Sequence, residues 1–377
     1  MKLDRKEILK ALENITVAGE GKNMVESGAV TNVVTFGDEA IVDLTLATPA
    51  MHIKKRAEED IRRTILAMAP EAKVKVNIKV EAPAKPVENT IKGKPIPGIK
   101  NIIAVASGKG GVGKSTVTAN LAASLAKMGF SVGVLDADIY GPSMPIMFDV
   151  EDQRPLSVMV DGKSKMKPVE SYEIKILSIG FFTAPGQAVI WRGPMASKAL
   201  NQMIFDADWG ELDFLLIDLP PGTGDIHLSI MQSLPITGAV VVSTPQAIAL
   251  ADAKKGVAMF MSESINVPVL GVVENMAYFT PEELPDNKYY IFGQSGAKNL
   301  AEDLNVPFLG EIPLVQSIRE AGDYGRPAAL QTNSIIENIF TEVTRNVVQE
   351  VVDRNENLPP TEAIKITTMA GCSAVKK

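Results

Sequence analysis

Apolar and polar residues alternate strictly from Val74 to Val80, with Lys75, Asn77 and Lys79 set between Val74, Val76, Ile78 and Val80. A period of two sends successive side chains to opposite faces, so this stretch predicts a half-buried strand. Upstream, residues 29–36 and 40–46 read as two more strands around a Gly37-Asp38 turn. Leu9 and Leu12 predict a short first helix, and Ala57, Ile61, Ile65 and Ala67 predict a second over 54–68. Helix, hairpin, helix and strand make a small α+β domain over residues 1–82. Residues 83–98 carry Pro83, Pro86, Pro95 and Pro97 with little apolar patterning, the composition of an extended, semi-rigid linker.

From residue 99 the pattern changes. Ile102–Ala106, Val132–Leu135, Phe214–Ile217, and the runs 238–244 and 269–274 are apolar without alternation, as in strands buried on both faces. Helical spacing separates them, at Leu121, Leu125 and Met128 and again over 249–263. Strands alternating with helices predict an α/β domain with a doubly wound, mostly parallel sheet over 99–352. A flexible C-terminal tail is expected over 353–377.

Between the first apolar run and its helix lies Gly108-Lys109-Gly110-Gly111-Val112-Gly113-Lys114-Ser115-Thr116. A strand, a glycine-rich turn and a helix start give a phosphate-binding loop its context. Glycines let backbone N–H groups turn inward around an anion, and the helix adds its positive N-terminal end. Lys114 is placed to reach the β- and γ-phosphates of ATP, and the Ser115 hydroxyl to hold Mg²⁺. Lys109 is not needed to cradle phosphate. It resembles the extra lysine of the "deviant" P-loops of MinD, ParA, the nitrogenase iron protein and the arsenical-pump ATPases. That resemblance implies a cation reaching a partner subunit's nucleotide, in the role of an arginine finger; the alternative is a solvated loop lysine.

Two acidic markers follow. Val132–Leu135 leads into Asp136-Ala137-Asp138, which an open α/β sheet places beside the P-loop. Asp138 is the candidate to orient the attacking water; Asp136 either supports the metal or caps the next turn. The segment Ile139-Tyr140-Gly141-Pro142-Ser143 is expected to act as a switch. Phe214–Ile217 leads into Asp218, the Walker B position expected to hold Mg²⁺ through water, and Gly222 and Gly224 give the next loop freedom to sense a γ-phosphate. Asn275 can read the adenine edge or cap a turn, and Pro313, within 310–314, would form the opposite wall of the base pocket.

Composition narrows the classes. Of 377 residues, 46% are hydrophobic and 22% charged, ordinary for a globular protein, and the length suits two or three domains. A net charge of −7 argues against a broad nucleic-acid footprint. Met1–Lys6 leads into mixed charge instead of an apolar signal core, and the uncharged stretch 228–251 is broken by Pro235, Pro245 and several polar residues, so no membrane span is expected. Cys372 is the one cysteine; no intrachain disulfide can form, and a cytoplasmic location is the expectation.

Taken together, GKGGVGKST, LDADIYGPS, WRGPM over Trp191–Met195, LIDLPPGTGD and ENMAYF over Glu274–Phe279 resemble the Mrp (ApbC-like) iron–sulfur cluster carrier ATPases over nearly the whole chain. The order of the first domain resembles the MIP18-type domain of iron–sulfur assembly proteins. The resemblance implies a homodimer that hydrolyses ATP and passes clusters to apo-proteins, with cluster-assembly factors as partners and neither nucleic acid nor membrane. Two motifs of these families are missing. The cysteine of the MIP18-type domain is absent from Ala47-Thr48-Pro49-Ala50-Met51-His52, where Met51 and His52 read as loop residues or soft ligands. The Cys-x-x-Cys pair that holds a bridging [4Fe–4S] cluster after ENM is absent from Thr280–Gly293. Cys372, in a glycine-flanked tail, is then either a cluster ligand or an incidental thiol. A metal-free nucleotide-switched scaffold and a ParA/MinD-like positioning ATPase are the alternatives.

Overall fold

The computed structural model describes residues 5–15, 23–36, 39–46, 51–80, 96–182, 193–281, 283–284 and 287–360. Outside these fall the Gly37-Asp38 turn, residues 47–50, most of the proline-rich linker, Trp191, Arg192 and Cys372.

The first unit has the element order its pattern predicts: α1 (Arg5–Leu12), β1 (Val30–Phe36), β2 (Glu39–Leu46), α2 (Met51–Met68) and β3 (Lys73–Val80). β1 and β2 pair antiparallel, and β2 and β3 pair parallel across the α2 connection. Ile8, Leu12, Val33, Val42, Ile61 and Ile65 form its core. In β3, Lys75, Asn77 and Lys79 are exposed while Val74, Val76 and Ile78 turn inward, as the alternation requires. Helix α2 begins at Met51, so Met51 and His52 open a helix and do not belong to a loop as expected.

The second unit is an eight-stranded sheet. Its elements begin with β4 (Ile99–Ala106), α3 (Lys114–Lys127), β5 (Val132–Asp136) and the short α4 (Met144–Met147). A separate hairpin follows, β6 (Leu156–Val160) with β7 (Lys163–Lys167), which the sequence pattern did not announce. Then come β8 (Val169–Ser171), β9 (Ile174–Ser178), α5 (Gly193–Phe205), β10 (Leu212–Asp218), α6 (Asp225–Ser233), β11 (Gly238–Ser243) and α7 (Ala247–Met261). The chain continues through β12 (Val269–Phe279), α8 (Gly296–Leu304), β13 (Phe308–Leu314), α9 (Gln316–Asp323) and α10 (Ile335–Asn357). The strand order is β13-β12-β11-β4-β10-β5-β9-β8, parallel throughout except that β8 runs against β9.

The P-loop strand β4 lies in the middle of this sheet and is covered on both sides. Ile102, Ala104 and Ala106 join one core layer, and Ile103 and Val105 join the other, which is why the run is apolar at every position. Helix α10 closes the second layer with Phe340, Val343, Val347 and Val351. It continues past the expected start of the tail at residue 353 to Asn357, because Asp353 and Arg354 are themselves buried. The strand expected over 269–274 also runs on: β12 reaches Phe279 after an irregularity at Met276, whose φ is 55°. Asn275 therefore lies inside that strand. Among the described residues, no helix is long and apolar enough to cross a membrane.

Candidate nucleotide site

Parallel register assembles the site. Asp218, the last residue of β10, pairs with Val105 of β4 on one side and with Asp136, the last residue of β5, on the other. The P-loop leaves the adjacent end of β4, so two carboxylates and the loop share the carboxyl edge of the sheet, where open α/β sheets bind ligands.

The loop closes onto α3 through Gly113, whose φ of 80° favours glycine and whose added Cβ would strike the Asn275 amide. Val112 is buried beneath the loop, Gly110 and Gly111 are exposed, and Gly108 lies against the α7 backbone at Asp252 and Ala253. Lys109 is exposed; its carbonyl accepts a hydrogen bond from Ser107 Oγ at 3.0 Å. Thr116 holds the helix start by accepting from Asn120 Nδ2 at 2.8 Å.

Asp218 is the hub of the site. It is fully buried, and its Oδ2 lies 2.8 Å from Lys114 Nζ and accepts from Ser115 Oγ at 2.6 Å. Thr118 Oγ1 lies 2.7 Å from Oδ1. Asp138 stands on the far side of the lysine, with Oδ2 at 3.8 Å from Nζ, and burial raises its carboxyl above the ordinary range against the pull of Lys114. The sequence thus brings together Lys114, Ser115, Asp138 and Asp218. No group of three or more His, Cys, Asp or Glu able to hold a metal occurs among the described residues.

Two residues with alternative expected roles make contacts within the protein. Asp136 is spent on its own loop: Oδ2 accepts from the Ser143 and Met144 amides at 3.0 and 3.1 Å and from Ser178 Oγ at 2.8 Å, and Oδ1 accepts from the Asp138 amide at 3.2 Å. Of the two roles open to it, turn capping is the one its geometry displays. Asn275 donates its amide to the Val112 carbonyl at 2.8 Å, bracing the P-loop from below. Pro313 is buried in the edge strand β13, one residue beyond Ile312, the register partner of Asn275. Sequence reading missed Thr118 and Ser178. Thr118 follows Lys114 by one helical turn on the same face, a signal that was legible; Ser178 reaches Asp136 only through strand register.

Burial, and then the neighbouring Asp218 charge, push the Asp136 carboxyl from 3.8 up to about 7. The fold therefore holds a proton that the unfolded chain releases between about pH 4 and about pH 7, and this group's contribution to stability falls as pH rises through that window. Urea midpoints of wild type and Asp136→Asn should show wild type losing on the order of 3 kcal/mol relative to the variant across it. Parallel pH profiles would contradict the assignment.

Comparison with known proteins places these features in a family. Residues 98–348 match the family described as NUBPL iron-transfer P-loop NTPase, and residues 5–91 match the one described as iron-sulfur cluster assembly protein. An iron-sulfur cluster carrier protein of Synechocystis is 40% identical over 334 residues, covering 88% of this chain and 93% of the relative. One of Aquifex aeolicus is 48% identical over 267 residues, 70% of this chain and 71% of the relative. The solved structure of a nucleotide-binding protein from Archaeoglobus fulgidus, in complex with ADP, is 39% identical with a TM-score of 0.55, covering 65% of this chain and 93% of that one.

Proposed function

Because the chain belongs to the NUBPL iron-transfer P-loop NTPase family, we propose that it is an ATP-hydrolysing carrier that receives iron–sulfur clusters and passes them to apo-proteins. The observation that supports the nucleotide half most directly is the convergence of Lys114, Ser115 and Thr118 on the buried Asp218. The relatives named as cluster carriers support the other half.

Each group has a role in this reading. The loop amides and Lys114 take the β- and γ-phosphates of ATP, and Ser115 with Asp218 holds Mg²⁺, which when bound neutralises phosphate charge. Asp138, buried beside Lys114 with a raised affinity for protons, orients the attacking water. Lys109, exposed on the loop, reaches the nucleotide of a second copy in a homodimer. Cluster-assembly factors and apo iron–sulfur proteins are the partners.

The cluster is cargo. A cubane is normally held by about four thiolates, and a homodimer of this chain offers two, both Cys372. The remaining ligands then come from small thiols or from the acceptor, which suits a carrier that must let go. The same single cysteine favours the second reading, a metal-free nucleotide-switched scaffold. Anaerobic reconstitution with iron and sulfide decides between them. Wild type is expected to retain iron after desalting, with a visible cluster spectrum that Cys372→Ala loses. No cluster in either protein, with ATP hydrolysis intact, would instead support the scaffold.

A further inference from the structure

Both carboxylate oxygens of Asp218 are engaged, and all the donors come from one helix. Oδ2 takes Lys114 Nζ at 2.8 Å and Ser115 Oγ at 2.6 Å, and Oδ1 takes Thr118 Oγ1 at 2.7 Å. Thr118 follows Lys114 by four residues and Ser115 by three, spacings that set it beside both on one face of α3. Among the described residues, no other group donates to Oδ1. Asp218 and Thr118 are both fully buried, so neither is open to bulk water.

The Thr118 hydroxyl has one proton and two acceptors in reach, the Lys114 carbonyl at 3.0 Å and Asp218 Oδ1 at 2.7 Å. In an α-helix the Lys114 carbonyl already takes the Thr118 amide. Asp218 is the nearer acceptor and the one in an ion pair, and charge-assisted bonds are the stronger kind, so the proton goes to Oδ1. The backbone of Asp218 is fixed by ladder pairing to β4 and β5, which leaves rotation of the carboxylate as its soft torsion. Without the Thr118 bond, Oδ1 is a buried acceptor lacking a donor. The carboxylate then gains by turning to share the Lys114 and Ser115 donors between its two oxygens.

We propose that Thr118 is a positioning residue for the metal side of this site: by donating to Oδ1 it sets the rotation of the Asp218 carboxylate and keeps Oδ2 turned to Ser115. The proposal deepens the reading above, in which Ser115 and Asp218 hold the Mg²⁺ that arrives with ATP, and it rests on that reading. Thr118 itself touches neither phosphate nor metal. A group that orients a metal-side carboxylate through its other oxygen typically carries about 10- to 100-fold in metal affinity. Phosphate binding by the loop amides and Lys114 does not pass through Thr118, so nucleotide affinity without metal is left nearly intact.

Binding of a non-hydrolysable ATP analogue, in EDTA and then across a Mg²⁺ titration, provides the test in full-length wild type, Thr118→Val and Thr118→Ser. Val keeps the shape of the side chain and removes the hydroxyl. Its affinity in EDTA should stay within about threefold of wild type, while its Mg²⁺ midpoint rises about tenfold or more. Ser keeps the hydroxyl, and its midpoint should lie within about threefold of wild type. A packing role alone would weaken binding equally with and without Mg²⁺ and would not follow the hydroxyl. If Val fails to fold, Thr118→Ala, a strong helix former that also lacks the hydroxyl, carries the same expectation. A hydroxyl-free variant with the wild-type midpoint overturns the proposal, as does equal weakening in EDTA and in Mg²⁺. If wild type binds the analogue no better with Mg²⁺ than in EDTA, the Mg²⁺ reading falls and takes the proposal with it. A Mg²⁺-dependent wild type beside an indifferent Val variant overturns the proposal alone.

Discussion

Replacing Lys109 with alanine is expected to lower ATP turnover by about 10³-fold or more while leaving nucleotide affinity nearly unchanged. The P-loop does not depend on this side chain: the cradle is backbone, and the ammonium near the carboxylates is that of Lys114. Lys109 is exposed, so removing it disturbs no core packing. Its cost falls where a cation from a second copy would offset charge developing on the transferring phosphoryl group, and supplied fingers of this kind are worth 10³–10⁵ in turnover. Steady-state hydrolysis and equilibrium ATP binding separate the two effects. A mixture of Lys109→Ala with a protein deficient only in Asp138 should recover activity, since each mixed dimer then contains one complete site. Wild-type turnover in Lys109→Ala would remove the trans-acting role.

Lys114→Ala is expected to reduce Mg·ATP affinity by about a thousandfold or more, beyond the reach of ordinary titration. Its consequences exceed a lost phosphate contact. The Nζ is 2.8 Å from Asp218 and 3.8 Å from Asp138, and the side chain is almost wholly buried. Deleting it leaves Asp218 buried beside Asp136 and Asp138 with no cation in contact, and breaking a buried pair from one side typically costs about 3–5 kcal/mol. The variant should therefore melt at lower temperature and regain stability as pH falls, when the acidic cluster takes up protons. Lys114→Met, which keeps the apolar stem, should lose the affinity to the same degree. Unchanged affinity for Mg·ATP in either variant would sink the site assignment.

Much of this was legible in the chain because the P-loop and the Asp218 motif are local. Their geometry depends on a strand, a turn and a helix start within a few residues, and the apolar runs around them fix the sheet. The small first domain was legible for a related reason, since the β3 alternation and the α2 spacing each encode which face is buried. What escaped was set by contacts between distant segments. Asp136 could cap or bind metal, and only the approach of Ser178 and of the Ser143 and Met144 amides settles that its oxygens are occupied. Asn275 carries the same amide in any setting, and only strand register brings it to the Val112 carbonyl. His227 gave no signal at all, because a histidine buried by tertiary packing looks in sequence like any helical residue. The end of α10 was misjudged because Asp353 and Arg354 are charged yet buried, against the usual meaning of charge at a chain's end.

The most direct test of the carrier account is transfer from the reconstituted protein to an apo iron–sulfur acceptor in the presence of an iron chelator. The account predicts that the acceptor gains its cluster spectrum faster, and with less loss to chelator, than it does from the same iron and sulfide free in solution. Acceptor loading no faster than the free-ion control would contradict it.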